Sequence, residues 1–110
     1  MSKPITQDRM EQALQYLTDT DESCAALKSD VERMDYRADA IFDAILLRSD
    51  GSVAVKEALA GTHPEYVAAK EKYFDALKDH EAIKNRRSTE AIVIDCWRSL
   101  NSNRRMGPMT

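Results

Sequence analysis

Cys24, Leu27, Val31, Met34, Ala38, Ile41 and Ile45 follow one another at alternating spacings of three and four residues. A 3.5-residue repeat keeps one stripe of a helix turned toward a partner helix, where side chains interlock as knobs in holes. Asp30, Glu32, Arg33, Asp35, Arg37, Asp39 and Asp43 fall mostly on other faces. Phe42 and Leu46 widen the stripe near its end, which favours a bundle contact over an isolated two-strand seam. The helix is expected to stop near Arg48, with Ser49, Asp50 and Gly51 as the turn and Gly51 taking a positive φ. Upstream, Met10, Leu14 and Leu17 mark one face of a helix over about 6–18, with Thr6 as its N-cap. Thr18, Asp19, Thr20 and Asp21 then compete with the backbone for hydrogen bonds, so this stretch reads as a break or a bend. Asp19 with Glu22 resembles a capping box for the next helix.

Beyond the turn, Ser52 to Ala60 reads as a short helix, N-capped by Ser52 and ended by Gly61. Thr62-His63-Pro64-Glu65 has the form of a second capping box, with proline in the first turn where its missing N–H is harmless. Tyr66, Lys70, Tyr73, Leu77, His80, Lys84 and Arg87 then follow a helical line flanked by Phe74 and Ile83, and Ala91, Ile94 and Trp97 or Arg98 continue it. Ile92-Val93-Ile94 favours a strand on propensity, but no turn residue isolates it and helix is the better reading. Ser88-Thr89 is a place for a kink or a fresh start. The result is a helix from about 63 to 99, roughly 55 Å long, beside a heptad helix of roughly 40 Å. Paired antiparallel, the longer one overhangs, and the first helix is placed to cover it with Met10, Leu14 and Leu17 against Ile94, Trp97 and Leu100.

The expected fold is therefore all-α: an antiparallel long-helix hairpin with a short N-terminal helix and a short connecting helix, packed as in a coiled coil. One helical domain is expected over residues 1–105, with a flexible tail over 106–110. Three glycines and three prolines are too few for a turn-rich β-sandwich, and 110 residues are too few for a barrel enzyme. A hairpin of this kind buries little, because each long helix meets one neighbour over much of its length. Self-association through Leu27, Val31, Met34, Ala38, Ile41 and Ile45 is the expected remedy. The opening Met1-Ser2-Lys3-Pro4, followed by Asp8 and Arg9, does not read as a signal peptide, and no apolar run approaches membrane-spanning length. A cytoplasmic protein without a membrane partner is expected, with Cys24 and Cys96 as reduced, buried thiols.

Candidate chemistry is sparse. The residues three before His63 and His80 are Ala60 and Leu77, so neither histidine belongs to a Glu-x-x-His metal pair. Asp75, Asp79, Glu81, Glu90 and Asp95 read as solvated carboxylates, and Gly51 and Gly61 form no phosphate loop. Neither a catalytic residue nor a cofactor is expected. Charge is more informative. The chain carries a formal −3, yet residues 1–80 hold 10 basic and 16 acidic side chains while residues 81–110 hold 6 basic and 3 acidic. Lys84, Arg86, Arg87, Arg98, Arg104 and Arg105 suit backbone phosphates, with Trp97 as a stacking face. The favoured alternative is internal: an antiparallel hairpin brings them near Asp19, Asp21, Glu22 and Asp30.

The segment from Ala76-Leu77 through Ile83-Lys84-Asn85-Arg86-Arg87-Ser88-Thr89 to Trp97-Arg98 and Asn103-Arg104-Arg105 resembles the C-terminal part of small bacteriophage and prophage helical proteins. In those, a basic segment leads into an apolar helix ending in Trp-Arg and a polar tail. Ala13-Leu14-Gln15-Tyr16-Leu17 followed by Thr20-Asp21 is similar to their opening. The resemblance covers about half the chain. It implies a viral origin, often among replication or recombination genes, and no catalytic residue. The combined expectation is a non-enzymatic helical interaction module that self-associates and binds another protein in the host cytoplasm. The alternative is an accessory nucleic-acid-binding protein using the Arg-rich C-terminal helix.

Overall fold

A computed structural model describes residues 5–106, with side chains through residue 103. Among the described residues there are three helices and no strand: α1 (Gln7–Arg48), α2 (Val53–Thr62) and α3 (Pro64–Met106). The long α1 packs against the long α3, with the short α2 between them in the chain, a helical hairpin as the heptad stripe predicts. The start and stop signals act as expected. Thr6 Oγ1 accepts from the Arg9 N–H at 3.1 Å and caps α1. Gly51, at φ 112°, turns the chain after Arg48, and Ser52 Oγ accepts from the Val55 N–H at 3.3 Å to open α2.

The expected short N-terminal helix is not separate; it forms the first part of α1, which runs unbroken through Thr18–Asp21. The reason is local. Thr18 and Thr20 donate their hydroxyls to the carbonyls of Leu14 and Tyr16 at 3.0 and 2.7 Å, and Asp19 accepts from Gln15 Nε2 at 2.7 Å. Hydroxyls and carboxylates satisfied one turn back do not need to leave the helix. α1 and α3 are thereby nearly equal in length, 42 and 43 residues, where a shorter heptad helix was expected. Ser88-Thr89 likewise stays helical, with Thr89 Oγ1 bonded to the Asn85 carbonyl.

The second junction also differs from expectation. Gly61 lies inside α2 at an ordinary helical φ, and Thr62 is the last residue of that helix, its hydroxyl donating to the Ala58 carbonyl at 2.8 Å. Thr62 is thereby withdrawn from capping α3, and His63 takes the role: its Nδ1 accepts from the Glu65 N–H at 3.1 Å. A neutral imidazole that accepts at Nδ1 carries its proton on Nε2. Arg48, 3.4 Å from Nε2, is then a neighbour and not a hydrogen-bond donor to that atom. Arg48 instead leans on Glu65 at 3.7 Å, an exposed ion pair.

Contacts divide the chain into two packed units, one of residues 1–24 with 82–110 and one of residues 25–81. In the first, Met10, Ala13 and Ile94 form the buried centre, with Leu17, Val93 and Trp97 against it. The expected partners Leu14 and Leu100 are instead exposed. In the second, Ala38, Ile45, Ala60 and Ala69 are buried, and Phe42 meets the Tyr66 ring edge-on at 5.1 Å. Leu27, Val31, Met34 and Ile41 lie on the same line as Ala38 and Ile45 but remain partly open to water. Cys24 and Cys96 are free thiols, but the first is half-buried and the second exposed, because Cys96 lies outside the inward line of α3.

Candidate functional site

The predicted basic surface belongs to the first unit, where the helices put polar side chains onto the packing line itself. On α1 that line runs Met10, Ala13, Leu17, Thr20, Cys24; on α3 it runs Arg87, Glu90, Ile94, Trp97. Glu90 thus occupies a position that spacing reserves for an apolar residue, and its side chain is 7% exposed. It is compensated by Arg9, whose Nη1 and Nη2 donate to Oε2 and Oε1 at 2.6 and 2.9 Å. The planar guanidinium matches both carboxylate oxygens at once. These hydrogen bonds hold the Glu90 carboxyl below its ordinary pKa range; burial pushes it the other way, and the charges of Arg9 and Arg86 pull it further down.

Arg87 is the second polar member of the line. Its Nη1 donates to the Leu17 carbonyl at 2.8 Å and to Thr20 Oγ1 at 2.7 Å, and its Nη2 donates to Asp21 Oδ1 at 3.2 Å. Arg86 stacks over the Tyr16 ring, 4.3 Å from its centroid, with its Nε 4.0 Å from Glu90. Two members of the expected phosphate-binding set are therefore engaged inside the chain, one of them with an acid, Asp21, named as an internal partner. Arg98 is exposed and only loosely associated with Asp95 at 3.9 Å. Lys84 lines an open groove with Leu17, Cys24, Arg87, Ser88 and Ala91. The side chains of Arg104 and Arg105 lie outside the described residues, although their backbone continues α3.

Reading the sequence did not find Arg9 and Thr20 as members of this cluster. The available signal was phase. Extending the three-and-four spacing back from Cys24 lands on Thr20, Leu17, Ala13 and Met10, and extending it from Ile94 lands on Glu90 and Arg87. Charged residues in phase with an apolar line need partners across it.

The second unit offers a different surface. An open groove there is lined by Leu27, Met34 and Ala76 together with Asp30, Lys72, Asp75 and Asp79. Elsewhere on this unit Tyr36, Leu47, Val53, Val55, Leu59, Val67 and Phe74 are exposed, with the Lys70 ammonium over the Tyr73 and Phe74 rings at 4.7 and 5.4 Å. Among the described residues no group of three or more His, Cys, Asp or Glu side chains is placed to hold a metal ion. No described helix is long and apolar enough to cross a membrane. Comparison of the chain with family models, with curated proteins and with solved structures finds no match in any of the three.

Proposed function

We propose that this chain is a non-enzymatic helical interaction module that self-associates and presents helical surface to another protein. The observation that carries this reading is the distribution of apolar side chains. Half of the buried set among the described residues is alanine, while Leu47, Val53, Leu59, Phe74 and Ile92 face water. Leu47, Val53, Leu59 and Phe74 belong to one unit, and large apolar side chains gathered outside a core mark a binding face where they are contiguous. The bacteriophage-like C-terminal segment fits a small accessory protein of this type.

Contact with nucleic acid through Lys84, Arg86, Arg87, Arg98, Arg104 and Arg105 is the alternative. It has less support, because the Arg87 hydrogen bonds and the Arg86 stack on Tyr16 are formed within the chain. Sedimentation equilibrium over a range of concentrations tests the preferred reading: reversible association supports it, and a well-folded monomer throughout removes it. Anisotropy of labelled single- and double-stranded DNA at low and moderate salt tests the alternative, which requires tight binding that weakens steeply with salt.

A further inference from the structure

The groove in the second unit has an apolar floor and a charged edge. Leu27 and Met34 of α1 and Ala76 of α3 are half-buried there, and Lys72 and Asp79 of α3 stand exposed at its edge. Leu27 and Met34 belong to the heptad stripe, so the hairpin leaves part of its own seam uncovered. Among the described residues neither Lys72 nor Asp79 has a hydrogen-bond or ion-pair partner within the chain. Asp30, on the α1 side of the groove, has one in Arg33 at 3.6 Å.

Charge identifies the occupant. Lys72 and Asp79 are seven residues apart, about two turns, and both reach the same groove. The sequence extends the series to Glu65 and Arg86, so four side chains recur every seven residues with alternating sign. A parallel copy in register would set like charge on like. A parallel copy displaced by one heptad matches the signs but leaves an open-ended contact that does not close into a dimer. An antiparallel copy, turned about the point between Asp75 and Ala76, sets Lys72 against Asp79 and Glu65 against Arg86, and it closes. Charges flanking an apolar seam fix partner and orientation in paired helices. Glu65 and Arg86 are already engaged within the chain, with Arg48 at 3.7 Å and over the Tyr16 ring, so the inner two carry the pairing.

Resting on the self-association proposed above, we infer that this groove is the twofold interface of a homodimer. In it α3 lies antiparallel to α3 of a second copy, each Lys72 faces the second copy's Asp79, and Leu27, Met34 and Ala76 are covered. Sedimentation equilibrium of the full chain tests this, with circular dichroism as the check on folding. Wild type is expected to be a reversible dimer. Lys72→Glu alone and Asp79→Lys alone should each weaken it by roughly tenfold or more, because both symmetric contacts turn from attraction to repulsion. The first variant carries only acids at these two positions and the second only bases, so an equal mixture of the two should dimerise again. Lys78→Glu, an exposed charge that does not line the groove, should leave the dimer unchanged. A dimer indifferent to both reversals, or a mixture no tighter than its components, overturns the assignment of the interface and leaves self-association standing. A wild-type monomer at every concentration overturns both.

Discussion

Replacing Ile94 with alanine should destabilise the protein by about 2–3 kcal/mol, while the same replacement at Ile92 should cost about 0.5 kcal/mol. The two residues share a side chain and a helix and differ in where they point: Ile94 is 6% exposed, against Met10 and Ala13, and Ile92 is 61% exposed. Alanine lacks three of isoleucine's carbons, a difference of about 2.4 kcal/mol on full burial at about 0.8 kcal/mol per methylene. Ile94 forfeits nearly all of it and leaves a cavity in addition, whereas Ile92 forfeits about two-fifths, about 1 kcal/mol. At both sites alanine returns about 0.4 kcal/mol as the better helix former. Domains of this size are stable by about 5–15 kcal/mol, so the loss at Ile94 is easily read. Urea unfolding followed by circular dichroism at one fixed protein concentration measures both, with the slope unchanged if only stability has moved. Equal losses at the two sites would refute the inward phase assigned to α3 and show its outer face to be covered as well.

The Glu90 carboxyl should make the protein acid-sensitive. Its pKa is depressed in the folded state, so its stabilising contribution is present above the unfolded carboxylate range, about 4.3, and is lost as pH falls through the folded value. Thermal melts between about pH 6 and pH 3 should therefore show a steeper decline for wild type than for Glu90→Gln, and parallel curves would contradict the pairing with Arg9. Cys96 should react with an aromatic disulfide faster than Cys24, because it is exposed while Cys24 sits on the packing line; labelling of Cys24→Ser and Cys96→Ser variants checks the order. Replacing Arg9 with Met and Glu90 with Leu together should lower the melting temperature less than Arg9→Met alone. The single change strands a carboxylate that the double change removes. Calorimetry of the two variants decides it.

The architecture was legible because one physical requirement, an apolar stripe every 3.5 residues, is written into residues 24–45 without interruption. What was misread traces to weighing residues by hydrophobicity instead of by phase. Leu14 outranks Ala13 as a core candidate on apolar character, yet Ala13 is fully buried and Leu14 is not. On α3 the expected line holds at Tyr66, Tyr73, His80, Arg87 and Ile94, but Lys84 and Ala91 are exposed while the residues just before them, Ile83 and Glu90, are not, and Ala69 is buried beside Lys70. Alanine carries little signal in a sequence and much consequence in a helix pair, since it sets how closely two backbones approach. The Thr18–Asp21 stretch was ambiguous for another reason. The side chains that break helices by bonding to nearby backbone also tolerate them by bonding one turn back, and composition does not distinguish the two. The candidate site was legible as a set of arginines, but not in its division between inward and outward members. That division depends on which partner lies across the helix pair.

The polar positions on the packing line solve a problem that an apolar stripe creates. Two helices with unbroken heptads pack almost as well after sliding by seven residues, because each knob finds an equivalent hole. A slide of α3 by one heptad would bring Ile83 or Trp97 to the place of Glu90 and leave the Arg9 fork facing hydrocarbon. It would equally separate Arg87 from Thr20 and the Leu17 carbonyl. Charges stranded in a low-dielectric contact cost more than one misplaced apolar side chain, so Arg9–Glu90 and Arg87–Thr20 select a single register. With register fixed there, the second unit need not spend its apolar side chains on specifying the fold. Val53, Val55, Leu59 and Phe74 remain at its surface.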